Sequence, residues 1–179
     1  MEDREWLMLN FTLPKEPSRV RVSVWRKLKK CGSVNIGQSM WLLPLSEEHV
    51  AFYNEISKDI LFNGGEAYIL RTTFIHGSSS DSIIEVFNKA REEEYKELLE
   101  KCENFFSEIE KETAKNNFSF IEVEENEYEY SKMTDWYKKI SERDFFNAPY
   151  KVKLEQELYK CKELLADFSE KVYQLNTQD

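Results

Sequence analysis

The end of the chain constrains the fold more than any other segment, because apolar side chains recur there with helical spacing. Seven of them alternate at intervals of four and three residues: Leu154, Leu158, Cys161, Leu165, Phe168, Val172 and Leu175. This spacing places them on one face of an α-helix, and an apolar face of that length has to be buried against other helices. The segment therefore predicts a long helix within a helical bundle.

Two preceding segments carry the same period. The first contains Tyr95, Leu98, Cys102, Phe105 and Ile109, extended backwards by Ile84 and Phe87, and the second contains Tyr130, Met133, Tyr137 and Ile140. Residues 116–130 are ambiguous, since Ser119 and Glu122 fit a helix capping box whereas the neighbouring phenylalanines fit a brief extended stretch. We interpret them as a loop followed by a helix from about Glu124.

Three short apolar segments nearer the N-terminus have the length of β-strands and end at turn residues. They are residues 4–14, which end at Pro14, residues 33–45 and residues 66–74. The middle segment predicts either two short strands bent at Gly37 or one strand with a bulge there.

Two helices are predicted between these strands. Residues 17–32 begin with Pro-Ser and end at Gly32, which are helix start and stop signals; the alternation RVRVSV also fits a strand, but the run of Lys and Arg favours a helix. The second helix begins after Ser46, which suits the N-cap position, and ends at the Asn-Gly-Gly of residues 63–65. Its predicted buried stripe is Val50, Tyr53 (or Phe52), Ile56 and Ile60.

The element order predicts an α+β fold. A ferredoxin-like βαββαβ sheet half occupies residues 1–76, and an antiparallel helical bundle of about three long helices occupies residues 81–179. The Gly- and Ser-rich stretch 75–82 has the composition of a linker. We expect the two halves to pack as one compact unit.

Composition narrows the class of protein. Aromatic residues make up 14% of the 179 residues, which excludes a disordered chain although 33% are charged. Residues 1–80 carry ten Lys and Arg against nine Asp and Glu, a net charge of +1, whereas residues 81–179 carry fifteen against twenty-five, a net charge of −10. No apolar run approaches the roughly 18 residues of a membrane span, so we expect a soluble, cytoplasmic protein with no membrane partner.

The cysteines and histidines do not predict a metal site. Cys31, Cys102 and Cys161 are odd in number, widely spaced and placed on apolar stripes, which favours buried reduced thiols. His49 and His76 have no nearby Cys or Asp at ligand spacing, so we expect both at the surface. We predict no metal and no cofactor.

The basic run in the first helix is the strongest functional candidate. It contains no acidic residue, and its cations are Arg19, Arg21, Arg26, Lys27, Lys29 and Lys30. Clustered cations on a helix neutralise phosphates and attract nucleic acid, here with Trp25 beside them. The alternatives are a solvated helix face, or one that docks on the acidic helices of the same chain.

Metal-dependent nuclease chemistry is not expected. Asn10 follows the apolar run of the first strand, where an aspartate could hold a metal ion for phosphodiester cleavage. An asparagine cannot supply that charge, and no acidic cluster in residues 1–80 replaces it. The chain is therefore expected not to be an enzyme.

The segment SERDFFNAPY, residues 141–150, interrupts the helical pattern. We interpret it as a corner between two helices, in which Phe145 and Phe146 turn inward and Asn147 caps the next helix. Arg143 and Asp144 then either tie the two helices together or, through Arg143, bind an anion.

The segments WLMLNFTLPKEPSRVRVSVWRKLKKCGSVNIGQSMWLLPLSEEH and GGEAYILR, with DWYKKISERDFFNAP before a heptad-spaced helix, resemble the N-terminal domain of ChrB, the regulator of bacterial chromate-resistance operons. The similarity covers most of residues 4–175. The resemblance implies a standalone form of a cytoplasmic bacterial regulator linked to chromate or oxyanion response, with residues 19–30 touching DNA. The sheet half is also similar in outline to the small nuclease subunit of CRISPR adaptation and to a domain of phenylacetate-pathway repressors.

Two functions are consistent with these patterns. One is a regulatory module that binds DNA through the basic helix. The other is a protein-interaction or dimerisation module, in which a second copy or another protein binds the sheet edges and the helical seam. An enzyme acting on nucleic acid or an oxyanion lacks a catalytic constellation.

Overall fold

The structure, a computed structural model, describes residues 4–75 and 77–177, without the side chains of 77–79. Over these residues the fold is mixed α+β, as predicted, with four strands and five helices. They are β1 (Trp6–Thr12), α1 (Ser18–Lys30), β2 (Val34–Gly37), β3 (Met40–Pro44), α2 (Glu47–Phe62), β4 (Glu66–Thr72), α3 (Gly77–Ala114), α4 (Phe120–Ser141) and α5 (Tyr150–Asn176). The chain divides into two compact units, Met1–Phe87 and Asn88–Asp179, and the boundary in the sequence falls inside α3. None of these helices combines the length and apolar character needed to cross a lipid bilayer.

The first unit contains one sheet in the order β2-β3-β1-β4, and every neighbouring pair is antiparallel. At the centre of the sheet Leu9 of β1 lies opposite Trp41 of β3 and Ile69 of β4. Leu9 is fully buried and Trp41 is 5% exposed. Most side chains of the two inner strands are apolar, and in β3 three consecutive residues, Trp41, Leu42 and Leu43, are buried.

The bend predicted at Gly37 is present. Residues 33–45 form two strands, and their register shifts between Asn35 and Gly37. The Asn35 side chain donates to the Met40 carbonyl at 3.2 Å across this turn. Both features that the sequence suggested, a second strand and an irregularity, therefore occur together.

The basic segment is a helix, not a strand. α1 buries Val24 and Leu28 and leaves its other face exposed. Gly32 has φ 86°, and the Ser33 N–H bonds to the Leu28 carbonyl at 3.0 Å, which closes the helix end. The terminal glycine was thus the correct signal.

α2 shows one correct prediction and one wrong one. The Ser46 hydroxyl accepts from the His49 N–H at 3.1 Å, as an N-cap should. His49, expected at the surface, is instead buried at 9% exposure, because its ring extends the stripe of Tyr53, Ile56 and Ile60 by one turn. Its Nδ1 donates to the Pro44 carbonyl at 2.7 Å, which makes burial of a polar ring tolerable. His76 lies outside the described residues.

The linker prediction for residues 75–82 was wrong over most of its length. α3 begins at Gly77, so residues 77–82 are helical. Further along this helix Phe87 is buried and stacks on Trp6 with ring centroids 5.7 Å apart. Helical packing of the apolar side chains that follow has outweighed the weak helix propensity of Gly and Ser.

In the second unit, the three long helices share one hydrophobic cluster. Its buried members are Tyr95, Leu98, Leu99, Cys102, Phe105, Ile109, Met133, Ile140, Ala148, Leu154, Leu158, Cys161, Leu165, Phe168 and Val172. The last residue of the predicted seam, Leu175, is 58% exposed, because the apolar face loses its partners in the final turn of α5. Each fully buried leucine contributes about 1.5–3 kcal/mol.

α4 begins earlier than predicted, at Phe120 instead of near Glu124. The Ser119 hydroxyl accepts from the Glu122 N–H at 3.3 Å, so this half of the predicted capping box forms. The Glu122 carboxylate instead accepts from the Asn117 amide at 2.9 Å. A single strong cap was enough to start the helix.

Candidate functional site

α1 presents four cations to solvent. Burial of Val24 and Leu28 fixes the orientation of the helix, so the residues on the opposite face point outward. The cations on that face are Arg19, Arg26, Lys29 and Lys30, and all four are exposed. Within the described residues, no ion pair involves any of them.

The other two cations of the basic run have intramolecular partners. Lys27 forms an ion pair with Asp59 of α2. The Arg21 guanidinium donates to the carbonyls of Pro14, at 2.8 Å, and Lys15 in the loop before α1. These two side chains hold α1 in place, so they are poorer candidates for binding a ligand.

An aromatic side chain lies on the same exposed face. Trp25 is 51% exposed and Val22 is 44% exposed. The Lys29 ammonium lies 5.8 Å from the centroid of the Trp25 ring, within cation–π range. An exposed indole beside free cations suits a polyanion that also offers flat apolar groups, as nucleic acid does.

An open groove of about 740 Å³ runs between α1 and α2. Its lining mixes both signs of charge with apolar groups: Lys27, Lys30, Cys31, Phe52, Glu55, Ile56, Lys58 and Asp59. Burial, with the nearby Glu48 charge, raises the pKa of the Cys31 thiol to about 11. This thiol is therefore protonated near neutral pH and is a poor nucleophile.

Neither Asn10 nor the buried cysteines belong to a group of side chains that could hold a metal ion, within the part of the chain that the structure describes. Asn10 is in β1, between Met40 of β3 and Tyr68 of β4. Over the described ranges, no group of three or more His, Cys, Asp or Glu side chains is arranged to hold a metal ion. Cys102 and Cys161 are buried in the core of the second unit, where their mutual hydrogen bond and burial raise the pKa of Cys161.

The corner between α4 and α5 is organised around Asp144, which is 8% exposed. Its carboxylate accepts from the Tyr95 hydroxyl at 2.9 Å and from the Ala148 N–H at 3.0 Å. Burial, followed by the hydrogen bond to Asp144, raises the pKa of Tyr95. Asp144 thus ties α3 to the start of α5.

One predicted role in this corner was wrong, the capping of α5 by Asn147. Phe145 and Phe146 are only half-buried, and the closely packed positions are Asp144 and Ala148. Asn147 does not cap α5: it has φ 55°, and its side-chain oxygen accepts from the Lys151 ammonium at 3.4 Å. A buried carboxylate satisfies the free N–H of this corner, so neither an aromatic plug nor an amide cap is needed.

Arg143 does not pair with its neighbour Asp144. It bonds to Glu94 of α3, which also forms an ion pair with Arg91 at 2.8 Å. Sequence reasoning missed Arg91, which is 4% exposed. The signal was present, because Phe87, Arg91 and Tyr95 follow one another at intervals of four, which puts Arg91 on the apolar stripe.

Comparison with known proteins gives one match. The family model described as the N-terminal part of protein ChrB matches residues 21–179, which includes most of α1, the sheet strands after it and all of the second unit. Neither a curated protein nor a solved structure matches the chain.

Proposed function

We propose, because the chain belongs to the ChrB N-terminal family, that it is a non-enzymatic regulatory module linked to chromate or oxyanion resistance. The family relation supports the regulatory role. We further infer that the sheet unit has the ferredoxin-like arrangement and that α3, α4 and α5 form a three-helix bundle. The amide of Asn10 agrees with a role other than metal-dependent nucleic-acid cleavage.

DNA binding through α1 completes the proposal. The observation that carries it is the exposure of four cations and Trp25 on one helix face of a protein whose net charge is −9. An acidic protein repels DNA on average, so binding requires a local basic surface of this kind. Each phosphate contact adds affinity that salt weakens, without specifying a base sequence.

The test measures, by fluorescence anisotropy at low salt, how tightly the wild-type protein and two variants bind a fluorescein-labelled 30-base-pair DNA duplex. The Arg26→Glu/Lys30→Glu variant should lose at least about tenfold in affinity, since four units of charge change at the interface. The matched control is Lys153→Glu/Lys162→Glu, which makes the same charge change at exposed positions of α5. Absence of wild-type binding at low salt, or an equal loss in both variants, contradicts DNA binding through α1.

A second candidate function, a dimerisation module, rests on the β4 edge. β4 pairs with β1 over all seven of its residues, and on its exposed face Tyr68 is 60% and Leu70 is 44% exposed. An edge strand this regular can accept another strand. Sedimentation velocity of the wild-type protein and the Tyr68→Lys variant tests the dimerisation function. A wild-type dimer that the substitution dissociates favours it, and a wild-type monomer at all concentrations excludes it.

A further inference from the structure

The second unit contains buried guanidinium nitrogens that have no acceptor. Arg91 lies on the buried side of α3 with its side chain 5% exposed, and an ion pair joins its Nη2 to Glu94. Its Nε and Nη1 are buried and, within the described part of the chain, have no hydrogen-bond partner. The Nε of Arg143 is in the same condition.

Unpaired buried donors of this kind are costly. A guanidinium has five N–H groups in one plane and stays charged. When it is buried without acceptors, it loses its hydrogen bonds to water and gains none from the protein, which costs free energy. Burial is the largest influence on Arg91 and lowers its pKa, and the Arg143 charge lowers it further. Glu94 and Asp144 act in the opposite direction.

The charges around the two arginines are not equally fixed. Asp144 is held in place by hydrogen bonds from the Tyr95 hydroxyl and the Ala148 N–H. Glu94 bridges both arginines, one oxygen to each, and its side chain is 24% exposed. Rotation of Glu94 toward solvent would leave the two positive guanidinium groups with the negative charge of Asp144, a net charge of +1 for these three side chains.

We propose that Arg91 and Arg143 form a binding site for a small tetrahedral oxyanion with two negative charges, and that Glu94 occupies this site when the ion is absent. Two guanidinium forks can each donate two hydrogen bonds to the oxygens of such an ion. The burial of Arg91 excludes a phosphate group on a macromolecule. The unpaired atoms of the two arginines are all donors, so an ion that only accepts, such as sulfate, matches them better than hydrogen phosphate, which carries a proton of its own.

The site joins α3, which supplies Arg91 and Glu94, to the corner between α4 and α5, which supplies Arg143. Occupancy would replace the Glu94 bridge by an ion shared between these elements. The inference does not depend on DNA binding, because it concerns ion binding by the free protein.

Isothermal titration of the full chain with sodium sulfate, against sodium chloride at equal ionic strength, tests the proposal. Saturable binding of sulfate is expected, tighter than that of phosphate at pH 8. Glu94→Gln should bind sulfate at least about tenfold more tightly, because the competing charge is removed. Arg143→Gln should bind at least about tenfold more weakly.

The control is Glu97→Gln, the same substitution at an exposed position one turn further along α3, and it should leave the sulfate affinity unchanged. If Arg143→Gln fails to fold, Glu94→Gln still decides the matter, because a purely structural ion pair gives no gain in affinity when Glu94 is neutralised. Absence of saturable sulfate binding in both wild type and Glu94→Gln, or an equal gain in Glu97→Gln, overturns the proposal.

Discussion

The structural importance of Asp144 leads to a quantitative prediction. Asp144→Ala removes the acceptor for two buried donors, the Tyr95 hydroxyl and the Ala148 N–H. A hydrogen bond to a charged group contributes about 1.5–3 kcal/mol, and a donor left unpaired in the interior keeps its desolvation cost. We therefore expect the free energy of unfolding to fall by about 4 kcal/mol.

Asp144→Asn keeps the shape but leaves one neutral acceptor oxygen for these two donors. It should lower the free energy of unfolding by about 2 kcal/mol, since one charge-assisted hydrogen bond is lost. Urea denaturation followed by circular dichroism at 222 nm measures both values. Asp135→Asn, at an exposed position of α4, is the control and should stay within about 0.5 kcal/mol of wild type.

A double-mutant cycle with Tyr95→Phe separates this hydrogen bond from general packing. Tyr95→Phe should cost about 1.5–3 kcal/mol in wild type and clearly less once Asp144 is alanine, because its partner is already gone. Equal costs in the two backgrounds would falsify the assigned contact. So would an Asp144→Ala protein as stable as wild type.

Three further predictions concern local features. Ser46→Ala should lower the stability by about 1 kcal/mol through loss of the α2 N-cap, measured by urea denaturation. Gly65→Ala should cost about 2–3 kcal/mol in the same assay, because its Cβ would lie 2.3 Å from the Thr12 carbonyl oxygen. Hydrogen bonds, from Lys115 above all, hold the pKa of Glu112 in the folded protein below its ordinary value of 4.5. The ionised Glu112 carboxylate therefore stabilises the folded protein fully above pH 4.5, and this stabilisation is lost as the pH falls through the lower pKa of the folded state. Glu112→Gln should therefore flatten the acid side of a Tm–pH curve.

Each of these has a matched control. Gly64→Ala is the control for Gly65→Ala. Its Cβ would lie 3.9 Å from the Pro14 ring, an ordinary contact, so the substitution should cost about 1 kcal/mol, from φ 74°. A cost equal to that of Gly65→Ala argues against the close contact. Glu110→Gln, exposed on α3, should leave the pH curve unchanged. Ser46→Asp should retain the cap, and a loss as large as that of Ser46→Ala rejects the capping role.

The sequence predicted the elements whose signals are local and repeated. The alternation of four and three in α5 identified six buried side chains, from Leu154 to Val172, because helix periodicity and burial have the same cause. Ser46 and Gly32 marked helix ends through chemistry that acts within one turn.

Features that depend on partners distant in sequence were missed. Glu94 meets Arg143 across 49 residues, a separation that no local pattern encodes. His49 was judged by residue type and Arg91 was overlooked, although both positions lie on apolar stripes. Tertiary packing overrode composition in the same way at residues 77–82, where a Gly- and Ser-rich stretch is helical.

The exposed face of α1 could be derived from the sequence, but the intramolecular partners of Arg21 and Lys27 could not. Helical spacing alone places Arg19, Arg26, Lys29 and Lys30 on the face opposite the apolar stripe, but it does not reveal the partners of the other two cations. The structure separates Arg21 and Lys27, which have partners in the loop and in α2, from the four that face solvent.

The salt dependence of duplex DNA binding tests the central claim most directly. Each phosphate neutralised contributes a slope of about −0.9 in log Kobs against log salt concentration, so four contacts predict a slope of about −3.6. Arg26→Ala should reduce its magnitude by about 0.9, whereas Arg21→Ala should change it little. A slope near zero, or one that Arg26→Ala leaves unchanged, would contradict binding through the exposed face of α1.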